Sequence, residues 1–455
     1  MEFDTIAAIS TGLVPGGIGI VRVSGPDAVA VAAPLVKLGK GTLAEAKPNH
    51  LYYGKISDGE TLLDEALIAI LKAPHSYTSE YTVELQCHGG PFVLNRVLEA
   101  VLKAGARLAE PGEFTNRAFL NGRLDLSEAE AVMDLISSHS ELARETALKQ
   151  LQGAHSEKIR AMRAALLEKT AYLEAALDDP EHYELEGFAE ELYPAVWAIR
   201  DEIRTLLESA DNGRLLTEGI RTAIIGCPNV GKSSLLNRLL GFERAIVTQI
   251  PGTTRDTIEE SFRFGDVVLR LSDTAGIRES TDAVEKIGIG RARDAIREAE
   301  LILLVTDGSK PFSAEDEALL ALCEGKTSLI LLNKADLGLA QDEKTLEARL
   351  GKPCFAVSAL SGEGIGAVLE KVKALFCLDE IRQQPLIVTN LRHKALLREA
   401  ETSLDCALET INDGAPVDFL TIDLLDAYRS LGQILGEEVG EDLINEIFGK
   451  FCMGK

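Results

Sequence analysis

The sequence predicts a multidomain α/β and α protein. It has an α+β domain at the N-terminus, a helical bundle written in two separate halves, and a doubly wound α/β domain inserted between those halves. Three observations carry this reading. Short β-like runs bounded by turn residues fill residues 1–119. Apolar residues at helical period occupy 120–214 and return over 379–455. Between them, residues 215–378 alternate apolar strands with helices.

In the first domain, Thr5–Ile9, Gly19–Val23, Leu67–Leu71 and Thr82–Leu85 read as strands, and Phe92 to Lys103 reads as a helix. Phe92, Leu94, Val97, Leu98 and Val101 supply the apolar stripe of that helix. Further on, Ile159, Met162, Leu166, Leu173 and Leu177 share one helical face, and Leu192, Val196, Ile199, Ile203 and Leu206 share another, with Pro180 between the two helices. Beyond residue 379, Leu397, Ala400, Leu404, Leu408 and Ile411 form one stripe, and Leu424, Leu425, Tyr428, Leu431 and Leu435 a second. Each half is too short to bury both sides of its helices, so a single bundle shared by both is the economical arrangement, with two independent bundles as the alternative. In the inserted domain, Arg221–Ile225, Val267–Leu271, Leu301–Val305, Ser328–Leu332 and Cys354–Val357 read as strands.

A chain of 455 residues with 46 % hydrophobic residues has enough apolar material for three domains. The formal charge of −25, from 72 acidic and 47 basic residues, argues against a broad non-specific phosphate-binding surface. It leaves room for a local basic patch or a basic partner. Cys87, Cys227, Cys323, Cys354, Cys377, Cys406 and Cys452 are odd in number and contain no CxxC pair, which suits reduced thiols better than disulfides or zinc. With no signal-like segment and no apolar run of about 18 residues, the expectation is a cytoplasmic protein without a membrane partner. No HExxH appears among the histidines, so the expected ion is Mg²⁺ carried by a nucleotide.

The nucleotide comes from four motifs in order. Gly226-Cys227-Pro228-Asn229-Val230-Gly231-Lys232-Ser233 is a phosphate-binding loop, entered from the apolar run Thr222–Ile225 and continued by the helical run from Ser234. Gly226 and Gly231 permit the turns that aim amide N–H groups at phosphate; Lys232 reaches the β- and γ-phosphates; Ser233 ligates Mg²⁺. Asp273-Thr274-Ala275-Gly276 follows, with Asp273 placed to hold Mg²⁺ through water and Gly276 to meet the γ-phosphate. Asn333-Lys334-Ala335-Asp336 closes the apolar run Leu329–Leu332 and sets the base preference, because a carboxylate accepts from guanine N–H groups that adenine lacks. Backbone around Ser358-Ala359-Leu360 then meets the guanine carbonyl. Together these predict a Ras-like G domain that binds and hydrolyses GTP. One position departs: Ile277 stands where Ras-like enzymes carry a water-orienting Gln. Arg255 is an arginine finger by position only, since a loop Arg is more often a surface ion-pair partner, so hydrolysis needs help from elsewhere.

Three segments resemble the MnmE family of tRNA-modification GTPases. They are Gly226 to Glu285, including Thr248-Gln249-Ile250-Pro251-Gly252-Thr253-Thr254; Pro111-Gly112-Glu113-Phe114-Thr115 with Arg117 to Gly122; and Cys452-Met453-Gly454-Lys455. The resemblance covers the whole chain and implies a K⁺-dependent GTPase whose G domains meet across a homodimer. Asn229, Thr248, Ile250 and Thr253 would then ligate K⁺, which does the charge-stabilising work of an arginine finger. Thr254 would join Ser233 on Mg²⁺, and Gln249, Pro251 and Gly252 would line the GTP. Glu285, a plain helix-start carboxylate by local sequence, would position the attacking water and so make Ile277 tolerable.

The same resemblance implies that the N-terminal domain is like folate-dependent one-carbon enzymes and binds a tetrahydrofolate derivative, 5-formyl or 5,10-methylene, at the dimer interface. The matching residues are Arg22, Glu84, Arg123 and Lys455, with Arg123 standing where the family has Lys and Met453 where it has Ile. Cys452 is then a catalytic candidate or a stray thiol. The implied function is modification of C5 of the wobble uridine in certain tRNAs with an aminomethyl or carboxymethylaminomethyl group. An MnmG-type FAD-dependent partner would contribute flavin, nicotinamide and most tRNA contacts within a heterotetramer or larger assembly. The alternative is an Era-like ribosome-assembly switch, which predicts a basic RNA-binding domain that neither flank supplies. A mechanical or signalling GTPase would give the PGEFT block and Cys452 no role.

Overall fold

The computed structural model describes residues 4–179, 182, 188–242, 260–264, 267–271, 295–414 and 417–455. The chain divides into two compact units, the first made of Met1–Met133, Gln150–Leu167 and Tyr428–Lys455, the second of Asp134–Lys149 and Glu168–Ala427.

The first unit is built on strands β1 (Ile6–Ile9), β2 (Gly16–Ser24), β3 (Val36–Leu38), β4 (His50–Asp58), β5 (Thr61–Leu71), β6 (Thr82–Gly89) and β7 (Arg107–Leu108). Among the described residues they form a seven-stranded sheet in the order β3-β4-β5-β6-β2-β1-β7. Alternation along β2, β5 and β6 sends Val21, Val23, Ile68, Ile70, Val83 and Leu85 to one face, where they pack with Leu94, Val97 and Val101 of the helix Pro91–Lys103. Phe92 does not join that stripe: it is 79 % exposed. At about 100° per residue it lies roughly 200° around the helix from Leu94 and points away from the sheet. The β2–β6 register sets Arg22 opposite Glu84, and side chains two apart share a face, so this pair stands on the face away from that core.

Chain segments far apart in sequence meet in this unit. Arg163, on the helix Ala154–Asp178, lies 4.1 Å from the ring centre of Tyr428 and donates to the Tyr428 carbonyl at 3.2 Å. Phe448 and Phe451 join Leu126 and Ala129 in a small apolar cluster. Leu177, expected on the buried stripe of Ala154–Asp178, is 41 % exposed, because burial in that last turn is carried by Leu173 and Ala176.

The second unit holds β8 (Ile220–Ile225), β9 (Glu260–Phe264), β10 (Val267–Leu271), β11 (Leu301–Asp307), β12 (Thr327–Asn333) and β13 (Cys354–Ala356). Their order is β13-β12-β11-β8-β10-β9, parallel except for β9 beside β10. The buried strands are continuous apolar runs, as a sheet covered on both faces requires. One face packs Ile224, Leu303 and Leu331 with Leu235 and Val368; the other packs Ile225, Ile302 and Ile330 with Ile296 and Leu346. Helix Phe188–Glu218 packs along helix Leu391–Asp413, with Arg200 Nε 2.7 Å from Asp405 Oδ1. No helix among the described residues is long and apolar enough to cross a membrane.

Candidate functional site

The phosphate loop leaves β8 at Ile225 and enters the helix Lys232–Phe242. Its glycines are dictated by space as much as by dihedral angle. Gly226 has φ +153° and a Cβ there would lie 2.1 Å from the Val305 carbonyl oxygen, so only glycine lets the loop cross β11. Gly231 has φ +97°, and its Cβ would fall 2.3 Å from Asn333 Nδ2. Between them Asn229 is left-handed at φ 61° and exposed, and Val230 is buried. Lys232 Nζ donates to the carbonyls of Gly226 and Cys227, both at 2.7 Å, and burial pulls its pKa below the ordinary lysine value. Ser233 and Ser234 are exposed at the helix start, where amide N–H groups and the helix dipole favour an anion.

β12 delivers Asn333 to the same edge of the sheet. Its buried side-chain amide bonds to the protein on both sides: Nδ2 donates to the Val230 carbonyl at 2.8 Å, and Oδ1 accepts from the Ala359 amide at 3.0 Å. The sequence assigns base preference to Asn333 and Asp336 together; in this geometry Asn333 also ties the phosphate loop to the turn after β13, while its second Nδ2 hydrogen, its second Oδ1 lone pair and the Asp336 carboxylate keep capacity for a base. Asp336 Oδ1 accepts from Ser358 Oγ at 2.6 Å, and Lys334, left-handed at φ 65°, pairs with Asp307 at 2.7 Å. Leu360 is 82 % exposed at the tip of the turn. Thr248, Gln249, Ile250, Pro251, Gly252, Thr253, Thr254, Asp273, Thr274, Ala275, Gly276 and Glu285 lie outside the described residues, as do Arg255, Ile277 and Pro180.

In the first unit, Arg22, Arg123 and Lys455 come together around a residue that the sequence does not single out, Tyr77, and Glu84 joins the group through Arg22. Arg22 donates from Nε to Glu84 Oε1 at 3.0 Å, with Nη2 2.9 Å from the same oxygen. The guanidinium carbon of Arg22 sits 5.4 Å from the Tyr77 ring centre and 5.6 Å from that of Phe114. Arg123 lies 4.9 Å from the Tyr77 ring and donates to the Tyr77 carbonyl, and Lys455 Nζ is 5.9 Å from the same ring. All four cation–ring distances fall within cation–π range. Burial, then the nearby Arg22 charge, lowers the Lys455 pKa. Tyr77 occupies an irregular loop with no periodic signal, so only spatial convergence marks it.

The PGEFT block explains why the C-terminal residues reach this place. Gly112 has φ +70° and a Cβ there would meet the Phe448 carbonyl oxygen at 2.5 Å; Gly454 has φ +87° and a Cβ there would meet the Ile9 carbonyl oxygen at 2.1 Å. The Phe114 amide donates to the Lys455 carbonyl at 3.2 Å, which seats the last residue beside Tyr77. Beneath the block, the nearly buried Arg117 is held by Glu113 at 2.9 Å and Asp4 at 2.7 Å. Cys452 is half-buried.

Comparison with known proteins places the whole chain. Residues 126–452 match the family described as MnmE helical domain, and residues 5–123 match that described as GTP-binding protein TrmE N-terminus. The tRNA modification GTPase MnmE of Lachnoclostridium phytofermentans is 47 % identical over 458 residues, with 100 % of each chain covered. That of Bacillus subtilis is 45 % identical over 458 residues, covering 99 % of this chain and 100 % of its own. The G domain of the T. maritima FeoB iron transporter is 29 % identical and covers 34 % of this chain and 97 % of its own, at a TM-score of 0.26, a superposition too loose to bear on fold or function. The chain belongs to the MnmE family of tRNA modification GTPases.

Proposed function

We propose that this chain is a K⁺-dependent GTP hydrolase that acts as a homodimer with an FAD-dependent MnmG-type partner. Together they modify C5 of the wobble uridine of certain tRNAs with a one-carbon unit from a tetrahydrofolate derivative, in the cytoplasm. The observation that supports this best is the convergence of Arg22, with its partner Glu84, Arg123 and Lys455 on Tyr77, from positions spread over nearly the whole chain. The set fits a folate. An aromatic ring offers a stacking face for a pterin, Glu84 keeps lone pairs for an amino-pyrimidine edge, and the cations suit the glutamate tail. Cys452, whose carbonyl accepts from the Lys455 amide at 3.3 Å, is the catalytic candidate on this side.

At the phosphate loop, the exposed side-chain oxygen of Asn229 suits a hard monovalent cation, and the Ser233 hydroxyl at the helix start suits Mg²⁺. Thr248, Ile250 and Thr253 would complete the first ion's ligands, and Thr254 the second's. When bound, these ions offset the charge that builds on the transferred phosphoryl group. The chain's own residues do the rest: Lys232 meets the β- and γ-oxygens, the loop amides hold the triphosphate, and Glu285 positions the attacking water. Domain limits of 1–119, 120–214 with 379–455, and 215–378 accompany this reading. Isothermal titration of the purified chain with 5-formyl-tetrahydrofolate tests the folate half. Saturable binding lost in Glu84→Gln is expected, and absence of binding to the native chain would remove it.

A further inference from the structure

Outside the four nucleotide motifs, one cation reaches into the base-reading turn from the phosphate-loop helix. Arg238 lies two turns along Lys232–Phe242, half-buried, and among the described residues no carboxylate pairs with it. Its Nη2 donates to the Leu360 carbonyl at 2.6 Å, while its Nε is buried without a hydrogen-bond partner. A Cβ at Gly362 would stand 3.2 Å from each of Arg238 Cζ, Nε and Nη2, so the guanidinium lies flat against that glycine. An unpaired, partly desolvated guanidinium is costly, and a costly group held this firmly is more than a surface charge.

The bond to Leu360 does not end there. The next amide, Ser361 N–H, donates to Ser358 Oγ at 3.1 Å, and Ser358 Oγ donates to Asp336 Oδ1 at 2.6 Å. A continuous relay therefore runs from Arg238 through the Leu360–Ser361 peptide and the Ser358 hydroxyl to the base-reading carboxylate. Each bond polarises the next in the same direction. We propose that Arg238 is a positioning residue for guanine selectivity, which fixes Asp336 and its turn through this relay and couples the base contact to the phosphate-loop helix. The inference rests on the GTP-binding reading of the site. Lysine would not substitute, because an ammonium cannot lie flat on Gly362 and donate to Leu360 from that plane.

The test is steady-state GTP hydrolysis by the full chain, with ATP as competitor and a thermal melt as the folding control. In Arg238→Ala we expect the KM for GTP to rise about five- to twenty-fold, the loss of a charged hydrogen bond to a carbonyl, with kcat unchanged. The inhibition constant of ATP should stay as it is, so discrimination between the two bases falls by the same factor. Arg238→Lys should resemble Arg238→Ala. An unchanged KM, an equal weakening of ATP, a fall in kcat at constant KM, or full recovery by Arg238→Lys would each overturn the assignment. Failure of the native chain to bind GTP would instead remove the underlying reading, so the two failures are told apart.

Discussion

The nucleotide loop and the Tyr77 cluster solve the same problem, holding charge in a fixed place, by opposite means. At the loop the groups are neighbours in sequence, and glycines at 226 and 231 impose the shape because a side chain would strike Val305 or Asn333. Around Tyr77 the groups come from residues 22, 84, 123 and 455, and the shape is imposed by the sheet register and by the seat that Gly112 makes for the C-terminal residues. The first site is local and rigid by steric necessity. The second depends on distant segments meeting, so it is sensitive to changes that touch none of its side chains.

That contrast can be broken in four ways. The largest effect is expected from Lys232→Ala, which removes the ammonium that reaches back over the loop: GTP turnover should fall about 10²–10³-fold, with folate binding intact. Turnover equal to native would detach Lys232 from the chemistry. Next, exchanging K⁺ for Na⁺ at constant ionic strength should slow hydrolysis at least about tenfold if Asn229 ligates the ion, and Asn229→Ala should abolish the difference between the salts. A rate indifferent to the salt discredits that assignment.

Gly112→Ala probes the second site from a distance. Forcing a Cβ to within 2.5 Å of the Phe448 carbonyl, at a positive φ, should cost about 2–4 kcal/mol in urea unfolding and weaken 5-formyl-tetrahydrofolate binding. GTP turnover by the same protein should not change; a parallel loss of both activities would erase the distinction between the sites. The smallest effect concerns Asp4, whose carboxyl is held at about 2, from 3.8, chiefly by the hydrogen bond from Arg107, with burial opposing and Arg117 assisting. A depressed carboxyl contributes stability above its unfolded value and loses it as the pH falls from about 4 through about 2. Since Asp4 is 54 % exposed, Asp4→Asn should flatten the acid limb of unit stability by less than about 1 kcal/mol.

Much of the fold was readable because its signals are local. The strands of the inserted domain are buried on both faces and spell continuous apolar runs, so β8, β10, β11 and β12 fall within a residue or two of their expected ends. β3, β4, β7 and β9 carry no readable signal: His50–Asp58 and Glu260–Phe264 mix polar residues into the run, and Val36–Leu38 and Arg107–Leu108 are too short to show a period. The periodic pattern puts Phe92 and Leu177 on buried stripes, but neither lies squarely on the face its helix buries, and both are exposed.

What the amino-acid order determined alone was the nucleotide chemistry, because a phosphate loop is made of consecutive backbone amides and its motifs sit at strand ends that periodicity locates. Only the tertiary structure decided that Tyr77 is the centre of the cationic cluster, that Asn333 is a tie to the loop and the turn, and that Arg238 reaches Asp336 through Leu360, Ser361 and Ser358. Apart from the Ser361–Ser358 bond within one turn, those contacts join residues 22 or more positions apart. No local period encodes them; they exist once the sheets and helices have closed the intervening chain.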